Sequence, residues 1–256
     1  MGVIIDGEEY FLEGRELILS SGEYMSIQII DCNIQKIEII DCNLMEISIE
    51  DCIDLIHINL SNNKLQEFSI RENIETLLLN NNELKKLTVV SENLSTLEIM
   101  DNNLESNVLL YCPNLEHAKL NNNKLKELPI KMWTYLKTID ISNNYCIEVD
   151  IESKYIESVK ANKNPLSKLV FNVESQNLKI LECNNTELNT ITLYNTPNIE
   201  YIDINKSFLK SFIMKTYSKK LKHFSLLDNR LLDILIHENC INPKYDILTK
   251  TKIFRI

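Results

Sequence analysis

LIHINLSNNKL, residues Leu55 to Leu65, places apolar side chains at Leu55, Ile58, Leu60 and Leu65 and an asparagine at Asn63, the spacing L-x-x-L-x-L-x-x-N-x-L. The spacing returns at Ile74-Leu77-Leu79-Asn82-Leu84, at Leu94-Leu97-Ile99-Asn102-Leu104 and at Leu115-Ala118-Leu120-Asn123-Leu125. Downstream it continues through Leu136-Ile139-Ile141-Asn144, Ile156-Val159-Ala161-Asn164-Leu166, Leu178-Leu181-Cys183-Thr186-Leu188, Ile199-Ile202-Ile204-Ser207-Leu209 and Leu221-Phe224-Leu226-Asn229-Leu231. Upstream, Ile34-Ile37-Ile39-Cys42-Leu44 fits with cysteine in the asparagine position, and Leu17-Leu19-Gly22-Tyr24 fits more loosely. Eleven copies at intervals of 19 to 22 residues cover about Glu16 to Ile236. A fixed period repeated this often marks a stack of supersecondary units.

Within each L-x-L the apolar residues are two apart, so both point to one face of a strand and the residue between them points to the other. Parallel strands need a crossover of about a dozen residues, which the rest of each repeat supplies. The asparagine then falls where the chain turns off the strand. Facing inward, its amide has two donors and an acceptor to offer backbone groups that the bend leaves unpaired. Asn63, Asn82, Asn102, Asn123, Asn144, Asn164 and Asn229 are therefore expected to stack as a structural ladder, with Cys42, Thr186 and Ser207 as weaker substitutes.

The second half of each repeat carries its own pair two apart, among them Ile47/Ile49, Phe68/Ile70, Leu87/Val89, Leu128/Ile130, Val149/Ile151, Leu169/Phe171 and Phe212/Met214. The return leg is thus expected to be a strand. Composition agrees: 36 Ile and 36 Leu in 256 residues furnish a core, whereas 2 Ala and 4 Gly suit neither a helical nor a doubly wound α/β protein. Strands on both sides share a spacing of ~4.8 Å, giving a weakly curved coil roughly 50 Å long.

The pattern resembles the leucine-rich repeat family, on the residues just given. The resemblance implies a mainly β, right-handed solenoid with a parallel sheet on its concave face. It also implies protein recognition, since members mostly serve as interaction scaffolds. The Ile, Asn and Lys bias resembles, in composition, leucine-rich repeat proteins of AT-rich large DNA viruses such as the insect poxviruses, and of some bacteria.

Three segments follow. Residues 1–14 read as an N-terminal β-hairpin cap, Val3-Ile4-Ile5 and Tyr10-Phe11-Leu12 about an Asp6-Gly7 type I′ turn. Residues 15–236 are the solenoid, and 237–256 a C-terminal cap or tail that still carries Tyr245, Ile247, Leu248 and Phe254. Net charge is −10, unevenly spread. Residues 1–128 hold 23 acids and 9 bases, net −14, and residues 129–256 hold 14 acids and 18 bases, net +4. Lys219, Lys220 and Lys222 form the densest basic cluster. It reads either as a basic pole for an acidic partner, phosphate or membrane surface or as solvated lysines.

Nucleic acid is not expected as a partner, because the chain is acidic and lacks basic–aromatic interleaving. No stretch nears 18 apolar residues, so no transmembrane segment is expected. The acidic start lacks the basic region and apolar core of a secretory signal. With seven cysteines, an odd count, the expectation is reduced thiols in a cytoplasmic protein, in the host-cell cytoplasm if it is viral.

No HExxH, GxSxG, Walker or GxGxxG pattern occurs, so neither catalytic residues nor a cofactor is expected. His57, His117 and His223 occupy equivalent outward positions, about 14 Å and 24 Å apart at ~4.8 Å per repeat, too far to share a metal. Cys32, Cys42 and Cys52 recur in Asp-Cys pairs, but Cys42 belongs to the opposite corner from the other two. Buried thiols are expected there, with a Cys32–Cys52 disulfide as the alternative and no metal site.

The outward middle positions of the first strand run Ile18, Glu38, Asn59, Leu78, Glu98, Lys119, Asp140, Lys160, Glu182, Asp203 and Ser225. From Glu98 to Glu182 the sign alternates, and adjacent opposite charges stabilise one another by about 0.2–1 kcal/mol a pair. Glu38, Asn59, Leu78 and Met100 fall outside that alternation and are the candidate protein-binding residues of this face. On the return leg, Leu109, Val170, Ile213 and Leu235 are candidates for an apolar contact patch. The expected function is a non-enzymatic protein–protein interaction module that binds a protein partner through an exposed sheet face. The alternative is an assembly component that self-associates through the solenoid's ends or edges.

Overall fold

Both half-repeats make short strands, and their alternating burial follows the two-residue period of the sequence. The computed structural model describes residues 2–106 and 108–236 and the backbone of 253–255. The chain forms two compact units, Met1–Leu125 and Lys126–Ile256.

In the first unit, a hairpin of β1 (Gly2–Ile5) and β2 (Glu8–Tyr10) turns at Asp6 and Gly7, both left-handed at φ +50° and +87°. The front strands are β3 (Glu16–Ser20), β5 (Lys36–Ile40), β7 (His57–Asn59), β9 (Thr76–Leu78), β11 (Thr96–Glu98) and β13 (His117–Lys119), adjacent in that order and all parallel. The return strands are β4 (Ser26–Ile30), β6 (Glu46–Glu50), β8 (Glu67–Ile70), β10 (Lys86–Val90) and β12 (Val108–Tyr111). They form two ladders, β2-β1-β4-β6 and β8-β10-β12, interrupted between β6 and β8. The hairpin joins the first through β1, antiparallel to β4.

In the second unit, front strands β14 (Thr138–Asp140), β16 (Ser158–Lys160), β18 (Ile180–Glu182), β20 (Tyr201–Asp203) and β22 (His223–Ser225) are again adjacent and parallel. The return strands are β15 (Glu148–Ile151), β17 (Lys168–Phe171), β19 (Thr190–Leu193), β21 (Ser211–Met214) and β23 (Asp233–Ile236), and β24 (Ile253–Arg255) adds in parallel to β23. The rest of the segment 237–256, read from the sequence as a cap or tail, lies outside the described residues.

One return leg departs from expectation. Leu128 and Ile130 form no strand; Ile130–Met132 is a 3-10 turn instead. Pro129 has no N–H to give a ladder, and its carbonyl accepts from Met132 N–H at 3.0 Å. Trp133, fully buried, fills the volume there.

Three successive positions build the corner after each front strand. The middle one is left-handed: Asn62, Asn81, Asn122, Asn143 and Asn185 stand at φ +54° to +60°, and Asp101, Lys163, Lys206 and Asp228 at +51° to +55°. Asn and Asp bear this conformation at least cost after Gly. The next residue is the inward asparagine, whose amide bonds backbone groups of the bend with its donors and its acceptor. The amides do not bond one another; each ties its own turn to the preceding one through backbone. Asn102 Nδ2 donates to Ile99 O at 3.2 Å in its own turn and to Leu79 O at 2.9 Å in the turn before, and its Oδ1 accepts Leu84 N–H at 3.0 Å. Leu79 O also accepts from Asn82 at 3.2 Å, so both lone pairs of that carbonyl are used. Leu60, Ile99 and Ile141 carbonyls are doubly bonded in the same way. Thr186 and Ser207 hydroxyls share Cys183 O at 3.1 Å each.

Candidate protein-binding surface

Backbone hydrogen bonding leaves the middle side chain of each front strand free to face out, and the neighbours of each decide what it can do. In the second unit they neutralise one another. Lys160 meets Glu182 at 3.1 Å. One position before the strands, Glu157 meets Lys179 and Glu200 meets Lys222, both at 2.6 Å. The Tyr201 and His223 rings stack with centroids 4.1 Å apart. Ser225, which sequence placed outward, is buried and bonds Asn205 Oδ1 at 2.7 Å.

The first unit differs. Glu98 is held by Lys119 at 2.8 Å and by Asn80 at 3.0 Å. Glu38, read from the sequence as unpaired, is not: Lys36 Nζ lies 3.2 Å away, supplied by the same strand two residues earlier. His57 Nε2 is 3.6 Å from Glu38. Burial pushes the His57 imidazole below its usual value, outweighing the carboxylate's opposite pull, so this contact is polar and not an ion pair at neutral pH. Asn59 turns its Oδ1 onto the Ser61 N–H at 3.1 Å.

Between Glu38 and Glu98 the strand positions of β7 and β9 carry no carboxylate or ammonium, while Glu75, exposed just before β9, lies beside Ile56 in register. Leu78, Thr76 and Thr96 are half-buried. Ile56, just before β7, is 40% exposed; sequence reading missed it because it precedes the L-x-L frame. Met100 is half-buried in the corner after β11, its N–H given to Asn80 Oδ1 at 2.9 Å. It therefore borders this face rather than standing on a strand.

The four apolar return-leg candidates are not one patch. Leu109, 52% exposed, stands on β12 in the first unit. Val170, Ile213 and Leu235 are half-buried in the second. Ile213 and Leu235 are direct neighbours, whereas Val170 pairs with Asp150 in a separate ladder. Of the basic cluster, Lys222 is paired with Glu200, and Lys220 bonds Asn198 Oδ1 at 2.8 Å. Only Lys219 has no such partner among the described residues.

The concavities are open surface grooves. One of about 580 Å³ follows the interrupted ladder between β6 and β8, with Glu50, Asp51, Glu67 and Glu72 against Arg71 and Lys86. No group of three or more His, Cys, Asp or Glu side chains is placed to hold a metal among the described residues. Cys32, Cys42, Cys52, Cys112, Cys146 and Cys183 are free and buried. Burial pushes the Cys112 and Cys146 thiols up to about 12 and Cys183 higher still, which suits packing and opposes nucleophilic use. Among the described residues no helix is long and apolar enough to cross a membrane.

Parallel front strands, strand-like return legs and an inward asparagine at each corner define the leucine-rich repeat fold, and solved structures agree. YopM from Yersinia enterocolitica WA-314 matches 86% of this chain at 17% identity with a TM-score of 0.61. The functional domain of InlJ from Listeria monocytogenes, which includes a cysteine ladder, matches 87% at 16% identity with a TM-score of 0.67. The leucine-rich repeat domain of APL1B matches 86% at 18% identity with a TM-score of 0.59. The chain spans 52%, 58% and 61% of those structures' lengths, respectively. No family model and no curated protein matches the sequence.

Proposed function

We propose that the protein is a non-enzymatic recognition module whose protein partner binds the front face of the first unit over β7 and β9. One observation carries this reading. Ile56, Thr76, Leu78 and Thr96 carry neither charge nor side-chain hydrogen bonds among the described residues, with the exposed Glu75 beside Ile56, while the flanking Glu38 and Glu98 are already engaged. Charged columns that satisfy themselves gain little from a partner, whereas a partly apolar, charge-depleted centre with a polar rim is how interface cores are built. Six buried free thiols among the described residues favour a reducing compartment, so we place the module in a cytoplasm.

The test is partner capture by the full chain, compared with Leu78→Glu, Ile56→Glu and the return-leg control Leu109→Glu. The first two substitutions are expected to weaken the captured complex by about 10-fold or more, and the control to leave it unchanged. A partner held equally by Leu78→Glu and Ile56→Glu refutes the reading.

A further inference from the structure

The edge of the first unit's front sheet is unpaired. β3 bonds β5 on one side and no strand on the other among the described residues. The N-terminal hairpin covers the return sheet alone, through β1 and β4. Which groups the open edge presents follows from the alternation of the backbone. Arg15 O accepts from Gln35 N–H at 2.7 Å, and Ser21 N–H donates to Ile40 O at 3.3 Å, so odd-numbered residues face β5. Glu16, Ile18 and Ser20 therefore turn both N–H and C=O outward to the free edge.

Natural edges are blunted by Lys, Pro, bulges or brevity. Edge charges in general serve too, and of all these devices β3 carries only Glu16, at its first residue; it runs five residues, as β5 does, where β7, β9, β11 and β13 run three. Ile18, at its centre, is 55% exposed, and Phe11, just ahead of it, is 93% exposed.

We propose that this edge docks a second copy of the same chain, β3 pairing antiparallel with the partner's β3 about a two-fold axis through Ile18. In that register Ile18 faces Ile18 of the partner subunit. Glu16 faces Ser20 of the partner subunit, and each pair exchanges both backbone bonds, since these are the residues whose groups point outward. Leu17 faces Leu19 of the partner subunit on the core side, so inside and outside are preserved. The only charge in the strand meets a hydroxyl, so no like charges are opposed. Self-compatibility of this kind favours a second copy over an unrelated strand. Against it stands long-range repulsion, because residues 1–128 carry 23 acids against 9 bases. Salt that shortens the Debye length from about 30 Å at 0.01 M to about 3 Å at 1 M removes it. The proposal does not depend on the partner face over β7 and β9, and either can fail alone.

The experiment is sedimentation and light scattering of the full chain across concentration at 0.01 M and 1 M NaCl, with cysteine cross-linking. The mass is expected to rise from 29.8 kDa toward twice that value, at lower concentration in high salt. Ile18→Pro removes an outward N–H that β5 does not use, a change edge strands tolerate, and is expected to remain monomeric with an unchanged circular dichroism spectrum. Facing Cα atoms in such a pair lie about 5.5 Å apart, within disulfide reach. Oxidised Ile18→Cys is thus expected to give one covalent dimer, while Ile53→Cys, exposed at another corner, is not. If Ile18→Pro fails to fold, the cross-link decides alone. A wild-type monomer at every concentration and salt, equal cross-linking at positions 18 and 53, or growth beyond the dimer overturns the proposal.

Discussion

Replacing Asn102 by alanine isolates what the inward corner contributes. Asn102 is 7% exposed and is the side-chain partner of Leu84 N–H at 3.0 Å. Truncation leaves that buried donor unmet, at about 1–3 kcal/mol. Leu79 O keeps Asn82 and Ile99 O keeps Asn123, so each carbonyl loses only its second bond, at a net of about 0.5–1.5 kcal/mol or less. One donor and two second bonds sum to about 2–6 kcal/mol. Asn103, its exposed neighbour with no side-chain bond, supplies the matched control, because the same chemical change there is expected to stay within about 0.5 kcal/mol. Asn102→Thr restores the bond within its own turn, as Thr186 does, and should recover part of the loss. Urea unfolding followed by circular dichroism measures all three. If Asn102→Ala costs under 1 kcal/mol, or no more than Asn103→Ala, the corner asparagine is not what joins the turns.

Two further outcomes are expected. Lys163 and Lys206 hold left-handed backbone at φ +54° and +51° where most turns use Asn or Asp; Lys163→Asn and Lys206→Asn should each raise stability by about 0.5–1 kcal/mol in the same urea assay, and no gain would count against strain at that position. Asp150 lies 2.9 Å from Lys131 and 3.5 Å from Lys168, and its bond to Lys131, with the charge of both lysines, holds its carboxyl below the ordinary 3.8. A depressed folded value adds stability above the unfolded one and loses it as pH falls through the folded one. Asp150→Asn should therefore be less stable than wild type at pH 7, with the gap narrowing below about pH 4; a gap independent of pH refutes the assignment.

The repeat was legible because the same period drives strand pairing and core filling: Ile58, Leu77 and Leu97 hold the same place in successive repeats and pair in one register. The hairpin turn at Asp6-Gly7 was legible too, since two successive left-handed residues are what a type I′ turn needs. Pro129 has no N–H to give a ladder, a signal that reading Leu128 and Ile130 as a strand pair left unused. The candidate surface was harder. Lys36 pairs with Glu38 across one residue of the same strand, a contact between side chains sharing a face that adjacent-strand reasoning overlooks. The interruptions between β6 and β8, and between β17 and β19, have no counterpart in the apolar pattern, which continues through both.

The chain also contains its own substitution series, and that series says what each corner position requires. The middle position accepts Asp101, Lys163, Lys206 and Asp228, so it asks for tolerance of left-handed backbone and nothing of the side chain's donors. The inward position accepts Thr186 and Ser207, which still donate to Cys183 O, so it asks for a donor. The position before them asks for an acceptor. Asn80, Asn162, Asn184 and Asn205 each take a backbone N–H from the next turn at 2.6–2.9 Å, and Ser142 Oγ takes Asn162 N–H at 3.2 Å. Asparagine alone meets all three demands, which is why Asn80-Asn81-Asn82 and Asn121-Asn122-Asn123 occur as runs. Ile40, Met100 and Leu227 stand in the acceptor position without a strong acceptor; of these, Met100, whose thioether is a weak acceptor, lies beside the face of β7 and β9. Residues that break a local rule without a compensating bond concentrate where function is carried, and Met100 breaks this one at the border of the surface proposed to meet a partner.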